Sequence, residues 1–143
     1  MNTSQLGNVG ESRIVYEFTK LGVQCFSPCG NGSLVDLVAD FGGRLNKIQI
    51  KTVEKPNADG VMVWKVTHQD GFHGSRKVYS EDEIDYFAFY CLSNDTVCLV
   101  PFDKEFPSTT FSIRPDDYVG TRIKTMRFAS DFSFEKIIQA TLS

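Results

Sequence analysis

Residues 34–53 read Leu34-Val35-Asp36-Leu37-Val38-Ala39-Asp40-Phe41-Gly42-Gly43-Arg44-Leu45-Asn46-Lys47-Ile48-Gln49-Ile50-Lys51-Thr52-Val53. Two β-rich runs, 34–41 and 45–53, flank a pair of glycines, which is the signal of a two-residue hairpin loop. With Gly42 and Gly43 as that loop, Asp36 faces Gln49 and Leu34 faces Lys51. Side chains alternate across a strand, so Gln49 and Lys51 share the face that carries Asp36. Directly opposed Cβ atoms lie about 4.5–5.5 Å apart, and residues two apart on a strand about 7 Å. An acid, an amide oxygen and an ammonium therefore converge in otherwise apolar strands. The other face, with Val35, Leu37, Ala39, Ile48 and Ile50, is hydrophobic throughout. One face is expected to build core and the other a site.

Upstream, residues 5–21 predict a helix, because Ile14, Phe18 and Leu21 recur at the spacing of one helical face. Asn2, Thr3 and Ser4 are candidate caps and Gly22 a stop. Glu11 falls three residues before Ile14 and seven before Phe18, on the apolar stripe itself. A carboxylate there costs free energy unless it is paired, ligates a metal, or sits at the open end of the face. Short strands are expected at 23–26, 61–66, 86–92, 96–101 and 109–113. A polar loop should run from 67 to 78, and Ser80-Glu81-Asp82-Glu83 has the capping-box pattern that opens a short helix. Residues 134–142 should close the chain as an amphipathic helix capped by Ser133 or Asp131. The order predicts one α/β or α+β domain over residues 1–143, built on a mixed sheet.

The 143 residues suit a single core, and 41% apolar with 23% charged residues argues against disorder and coiled coil. No apolar run approaches the roughly 18 residues of a membrane span, and no signal-peptide pattern opens the chain, so a cytoplasmic protein without a membrane partner is expected. The net charge of −3 looks unfavourable for nucleic acid. Divided along the chain it is uneven: residues 44–77 are net +4 and residues 78–117 net −7. The basic stretch begins inside the hairpin. Cys25, Cys29, Cys91 and Cys98 lack zinc-type spacing, and the expectation is four buried thiols, with a four-cysteine zinc site as the other reading.

Asp36 and an amide or carboxyl oxygen suit a hard cation such as Mg²⁺, which favours oxygen ligands. A lysine beside the ion can orient a water and stabilise charge on a pentavalent phosphorus. Metal-assisted phosphodiester hydrolysis fits the set. Asp36, twelve intervening residues, then Gln49-Ile50-Lys51 resembles the signature of the PD-(D/E)XK nuclease superfamily, with Gln in the second acidic position and Val35 where a proline often stands. Glu11, within Gly10-Glu11-Ser12, resembles the additional first-helix glutamate of archaeal Holliday-junction resolvases. The resemblance is strongest to the intron-encoded homing endonuclease branch known from a cyanobacterial group I intron, and it continues through residues 79–101.

That resemblance implies a restriction-endonuclease-like αβββαβ core with extra strands and a C-terminal helix. It also implies Mg²⁺-dependent cleavage of double-stranded DNA, leaving 5′-phosphate and 3′-hydroxyl ends. By matched position, Asp36 becomes the principal metal ligand and Lys51 the residue that positions the attacking water. Glu11 reaches the metal or its hydration shell, Gln49 ligates through its amide oxygen, and the Ile50 carbonyl is a further ligand. A neutral amide at Gln49 binds Mg²⁺ more weakly than a carboxylate and leaves the number of ions open.

For DNA contacts the candidates are Lys55, Lys65, His68, His73, Arg76 and Lys77. A globule of this length has a radius of gyration near ~14–15 Å and covers about one turn of duplex. Cutting both strands then requires at least a dimer reading half-sites, and the resemblance implies a homotetramer. Phe102, Phe106, Phe111, Phe128, Phe132 and Phe134 are available for core or interface. The rival readings are a Holliday-junction resolvase-like or restriction-type nuclease, and a non-catalytic nucleic-acid-binding module.

Overall fold

The computed structural model describes residues 1–30, 32–69 and 74–143. The elements run α1 (Thr3–Lys20), β1 (Cys25–Phe26), β2 (Leu37–Phe41), β3 (Arg44–Val53), β4 (Met62–Lys65), β5 (Thr67–Gln69), β6 (Arg76–Val78), β7 (Tyr86–Cys91), β8 (Thr96–Pro101), β9 (Thr110–Ile113), a 3₁₀ turn (Ala129–Phe132) and α2 (Phe134–Leu142). The double glycine turns the chain as its sequence predicts. Gly42 and Gly43 have φ of 60° and 94°, the left-handed values a type I′ loop requires. Leu37 pairs with Ile48 and Phe41 with Arg44, the predicted register. Asp40 fastens the loop by accepting the Gly43 N–H at 2.7 Å.

The sheet order is β1-β2-β3-β7-β8. Only β3 and β7 pair in parallel; the other neighbours are antiparallel, so the sheet is mixed. Strand β7 is buried along its whole length, which explains its unbroken apolar run Tyr86-Phe87-Ala88-Phe89-Tyr90-Cys91. Its alternating side chains feed two cores. Tyr86, Ala88 and Tyr90 join Leu37, Ala39, Phe41, Ile48 and Ile50 under α1 and α2, where Phe18 and Phe134 rings meet at 4.9 Å. Phe87, Phe89 and Cys91 point the other way, into a core closed by the β4–β9 ribbon through Met62, Trp64, Phe111 and Ile113.

Both helices are placed by their caps. Asn2 and Gln5 form a reciprocal capping box at α1, and Ser133 accepts the Lys136 N–H at 3.2 Å to start α2. Gly22, at φ 76°, stops α1. None of the described helices is long and apolar enough to cross a membrane.

Several expectations change. Strand β2 starts at Leu37 instead of residue 34, because Asp36 directs its carboxylate, not its carbonyl, at the backbone of β3. Val35 consequently packs against the second core and not with Leu37 and Ala39. Both sheet faces therefore carry core, and the polar trio occupies the border of one of them. The 67–78 segment is no plain loop: Thr67 pairs with Val78 and Gln69 with Arg76 in a two-stranded ribbon. The Ser80–Glu83 box forms only in part: Glu83 Oε1 accepts the Ser80 N–H at 2.8 Å and the Ser80 hydroxyl at 2.9 Å, while the Glu83 N–H goes to the Ser80 carbonyl and closes a turn, not a helix. Two residues later Asp85 is already bonded to Lys47, its N–H to the carbonyl at 2.9 Å and its carboxylate to the N–H at 2.8 Å. The chain is committed to β7 before a helix can propagate. Cys91 and Cys98 are buried as expected, whereas Cys25 is half-buried and Cys29 exposed. Trp64 is core, 1% exposed, with its indole N–H donated to the Tyr90 carbonyl at 2.9 Å. The late phenylalanines also serve packing: Phe111 and Phe134 are buried, and Phe102, Phe106 and Phe132 flank the second core.

Candidate active site

Asp36 stands where β2 peels away from β3. Its N–H donates to the Ile48 carbonyl at 3.0 Å, and its Oδ2 accepts the Ile50 N–H at 2.9 Å. These bonds anchor the carboxylate at the middle of β3, between Gln49 and Lys51. Burial pushes the Asp36 carboxyl up to about 6; the Ile50 N–H opposes the shift, the Glu11 charge adds to it, and Lys51 counteracts it. A carboxylate held this far above its ordinary range lacks a sufficient cation of its own.

Gln49 and Lys51 follow on the same face of β3 as predicted, beside Phe87 and Phe89 of the parallel neighbour. Gln49 Oε1 is buried and accepts no hydrogen bond among the described residues. An unsatisfied buried amide oxygen costs about 1–3 kcal/mol, and such groups in native proteins call for an absent water or ion. Lys51 Nζ donates to the Thr67 carbonyl at 3.3 Å and lies 5.4 Å from the Tyr79 ring centre. Burial lowers the Lys51 ammonium, Asp36 works against that, and the nearby Arg76 charge lowers it further.

Glu11 arrives from the helix. It is exposed, so it occupies the open end of the apolar face and not the stripe's interior. The buried acid of α1 is Glu17, bonded to Arg13 at 2.8 Å and Lys20 at 3.2 Å. What brings Glu11 to the sheet is its neighbour Gly10. A Cβ on Gly10 would lie 1.7 Å from Thr52 Oγ1, so only glycine lets α1 approach β3 this closely. Glu11, Asp36, Gln49, Ile50 and Lys51 then line one open cleft with the first turns of α1. Glu11 and Asp36 also border a second concavity, walled by Ser27, Pro28, Ser33 and Val35. The pair forms a ridge between two hollows.

The donor set fits a hard divalent cation. It offers two carboxylates and one orphaned amide oxygen, and no soft donor enters. Among the described residues no group of three His, Cys, Asp or Glu side chains forms a metal cluster, so the amide of Gln49 is needed to complete any such site. The Ile50 N–H is committed to Asp36, which fixes that peptide beside the carboxylate.

The predicted DNA contacts divide. Arg76 is bonded to Thr67, through Nε to Oγ1 at 2.7 Å and through a terminal nitrogen to the carbonyl at 2.8 Å. His68 packs its ring 4.6 Å from that of Tyr79, and Lys77 lies opposite it on the same ribbon. Arg76, through Thr67, and His68, through Tyr79, belong to the wall beside Lys51. Lys55 and Lys65 are exposed and do not line the cleft. His73 lies outside the described residues. Sequence reasoning missed Gly10, Thr67 and Tyr79. Tyr79 is buried between Lys51, His68 and Phe87, and burial pushes its hydroxyl up to about 12, so it serves as a neutral wall. Only Gly10 had a local signal, a glycine inside a helical pattern.

A two-helix, mixed-sheet fold brings Asp36, Gln49 and Lys51 into one cleft, and family comparison accounts for that fold. The chain belongs to the PD-(D/E)XK endonuclease family, which matches residues 1–135. Among solved structures, it is similar to a bacterial homing endonuclease, I-Ssp6803I, at a TM-score of 0.79. That likeness covers 99% of this chain and 97% of the other at 18% sequence identity. No curated protein gives a significant match.

Proposed function

We propose that this protein is a site-specific, Mg²⁺-dependent endonuclease of double-stranded DNA, of the intron-homing kind. The observation that carries the reading is the unsatisfied Gln49 amide oxygen, set beside a proton-hungry Asp36 and a half-buried Lys51 in one open cleft. Such a group of ligands gains stability when a cation arrives, and the cation's arrival readies it for a phosphodiester.

Asp36, Gln49 and Glu11 would hold the ion, with the Ile50 carbonyl as a further ligand. When bound, Mg²⁺ polarises the phosphodiester and lowers the pKa of a coordinated water. The chain's own residues do the rest. Lys51, steadied by the Thr67 carbonyl and the Tyr79 ring, orients the attacking water and lies close to the charge that develops on phosphorus. The second core excludes water from one side of that ammonium. His68, Arg76 and Lys77, with Lys55, Lys65 and His73, contact the DNA. Phosphate contacts of this kind supply affinity and its salt dependence.

Each chain carries one such cleft and hydrolyses one strand. Double-strand cleavage therefore uses at least a dimer, and the homotetramer is the assembly we propose, acting in the cytoplasm. Incubation with a random-sequence duplex library and Mg²⁺, followed by sequencing of the cut ends, tests the reading. The expected result is recurrent cleavage at one extended, two-fold-related site, with 5′-phosphate ends. Absence of Mg²⁺-dependent cutting would overturn it, and preferential cutting of four-way junctions over linear duplex would convert it into a resolvase.

A further inference from the structure

We propose that Arg76 is a catalytic residue, held beside Lys51 on the Thr67 carbonyl so that its guanidinium binds a non-bridging oxygen of the scissile phosphate. This rests on the endonuclease reading above and assigns Arg76 a role different from a groove contact.

The Thr67 carbonyl oxygen accepts two cations at once, Lys51 Nζ at 3.3 Å and an Arg76 terminal nitrogen at 2.8 Å. The two charges are thus no farther apart than those two bonds laid end to end. Like charges brought so near repel, and the repulsion is stronger at a partly buried site than in water. Neither cation is relieved by an ion pair: the described pairs join Arg13, Lys20, Glu17 and Asp95 only. Among the described residues Arg76 is bonded to the neutral oxygens of Thr67, which leave its charge in place. Two adjacent cations that form none of the described salt bridges make a receptor for an anion.

The shape of the group selects the anion. Arg76 uses Nε and one terminal nitrogen on Thr67, and this leaves the other terminal nitrogen of a planar fork for a tetrahedral oxyanion. The charge count agrees. Lys51 lines the cleft with Asp36 and Glu11, Arg76 stands next to Lys51 on the Thr67 carbonyl, and Gln49 adds no charge. With a neutral amide at residue 49, the cleft repels a phosphodiester less than one with a third carboxylate there would.

In the reaction, a water oxygen bonds to phosphorus as the bond to the sugar 3′ oxygen breaks. One water proton ends on the released hydroxyl, and the other leaves the new 5′-phosphate for solvent. Arg76 gives up no proton; it stabilises the negative charge that accumulates on the equatorial oxygens. The ribbon β5–β6 carries the residue because both ends of the Arg76 anchor lie on Thr67.

The test uses the duplex selected from the random library, in single-turnover cleavage at saturating protein, with affinity measured separately without metal. Arg76→Gln removes the charge yet keeps a donor for Thr67, and Arg76→Ala removes both. Each should lower the cleavage rate at saturation about 100-fold or more, while affinity changes by less than about threefold. Arg76→Lys, or free guanidinium ion added to Arg76→Ala, should restore part of the rate, which a merely structural role would not permit. A loss confined to affinity, with the rate at saturation unchanged, overturns the inference and leaves Arg76 a groove contact. Wild-type cleavage matched by Arg76→Gln overturns it too, with the endonuclease reading intact; a wild type that cuts nothing removes both.

Discussion

Helix α1 presents one glutamate at its middle and another in its last turn, and the two are treated in opposite ways. Glu17 is 5% exposed and held by Arg13 and Lys20, and Arg13 reaches on to Asp95, which also accepts the Tyr90 hydroxyl at 2.9 Å. That end of the helix is fastened to the β7–β8 turn by satisfied charges. Glu11, six residues earlier, is exposed, forms none of the described ion pairs, and raises the Asp36 carboxyl by its charge. The same contrast separates Asp85, occupied by the Lys47 N–H, from Asp36. Acids that carry architecture are neutralised within the fold. Acids of the cleft repel one another with Lys51 opposing that repulsion only in part, so a cation from solution would stabilise them.

The sharpest way to break this contrast is to delete the cleft's charges. Asp36→Ala and Lys51→Ala should each reduce Mg²⁺-dependent cleavage by about 1,000-fold or more, with circular dichroism unchanged. Wild-type rates in both variants would mean that the chemistry lies elsewhere.

A smaller but still large effect concerns pH. Asp36 titrates at about 6 in the fold against an ordinary 3.8. The folded chain therefore keeps a proton that the unfolded chain loses, so stability falls as pH rises between about 4 and 6, and the full cost is present above 6. Without metal, Asp36→Asn should be more stable than wild type at pH 7.5 by up to about 3 kcal/mol. The gain should vanish near pH 4 in thermal melts. Protons and Mg²⁺ compete for this carboxylate, so the acid limb of the cleavage profile should move to lower pH as Mg²⁺ increases.

The two glutamates can be compared directly. Glu11→Gln should slow cleavage about tenfold and leave the melting temperature unmoved. Glu17→Gln should do the reverse, costing about 1 kcal/mol of stability by removing the partner of Lys20 and one of the two partners of Arg13, with cleavage by the folded fraction retained. Identical profiles for the two would erase the distinction.

The mildest change is at Gln49. Gln49→Glu should keep the fold and some cleavage, while tightening Mg²⁺ binding as read by calorimetry. Unfolding of that variant would show that Gln49 serves the structure instead of the ion.

Much of this was legible before any coordinates. Alternation along 45–53 and the glycine pair define a hairpin with only one sensible register, because a slip of one residue would send Ile48 and Ile50 to the polar face. The observed pairing of Leu37 with Ile48 follows it. Asp36, Gln49 and Lys51 were brought together by that local geometry alone. The helices were readable for the same reason, since periodicity and caps act within a few residues. Val35 was misplaced because Asp36 breaks the strand with a side-chain bond that no alternation pattern encodes. The Ser80–Glu83 helix failed because Asp85 is captured by Lys47, a partner 38 residues away.

The sequence by itself determined the class of fold, the hairpin and the identity of the polar trio, since propensity, turn chemistry and strand alternation are short-range. Only the tertiary structure decided which charges are spent and which remain. It buried Glu17 between two cations and placed Glu11 at the mouth of a cleft. It also closed the β5–β6 ribbon so that Lys51 and Arg76 meet on the Thr67 carbonyl. Charge pairing depends on distances between residues far apart in the chain, and such distances exist only once the sheet and its two cores have formed.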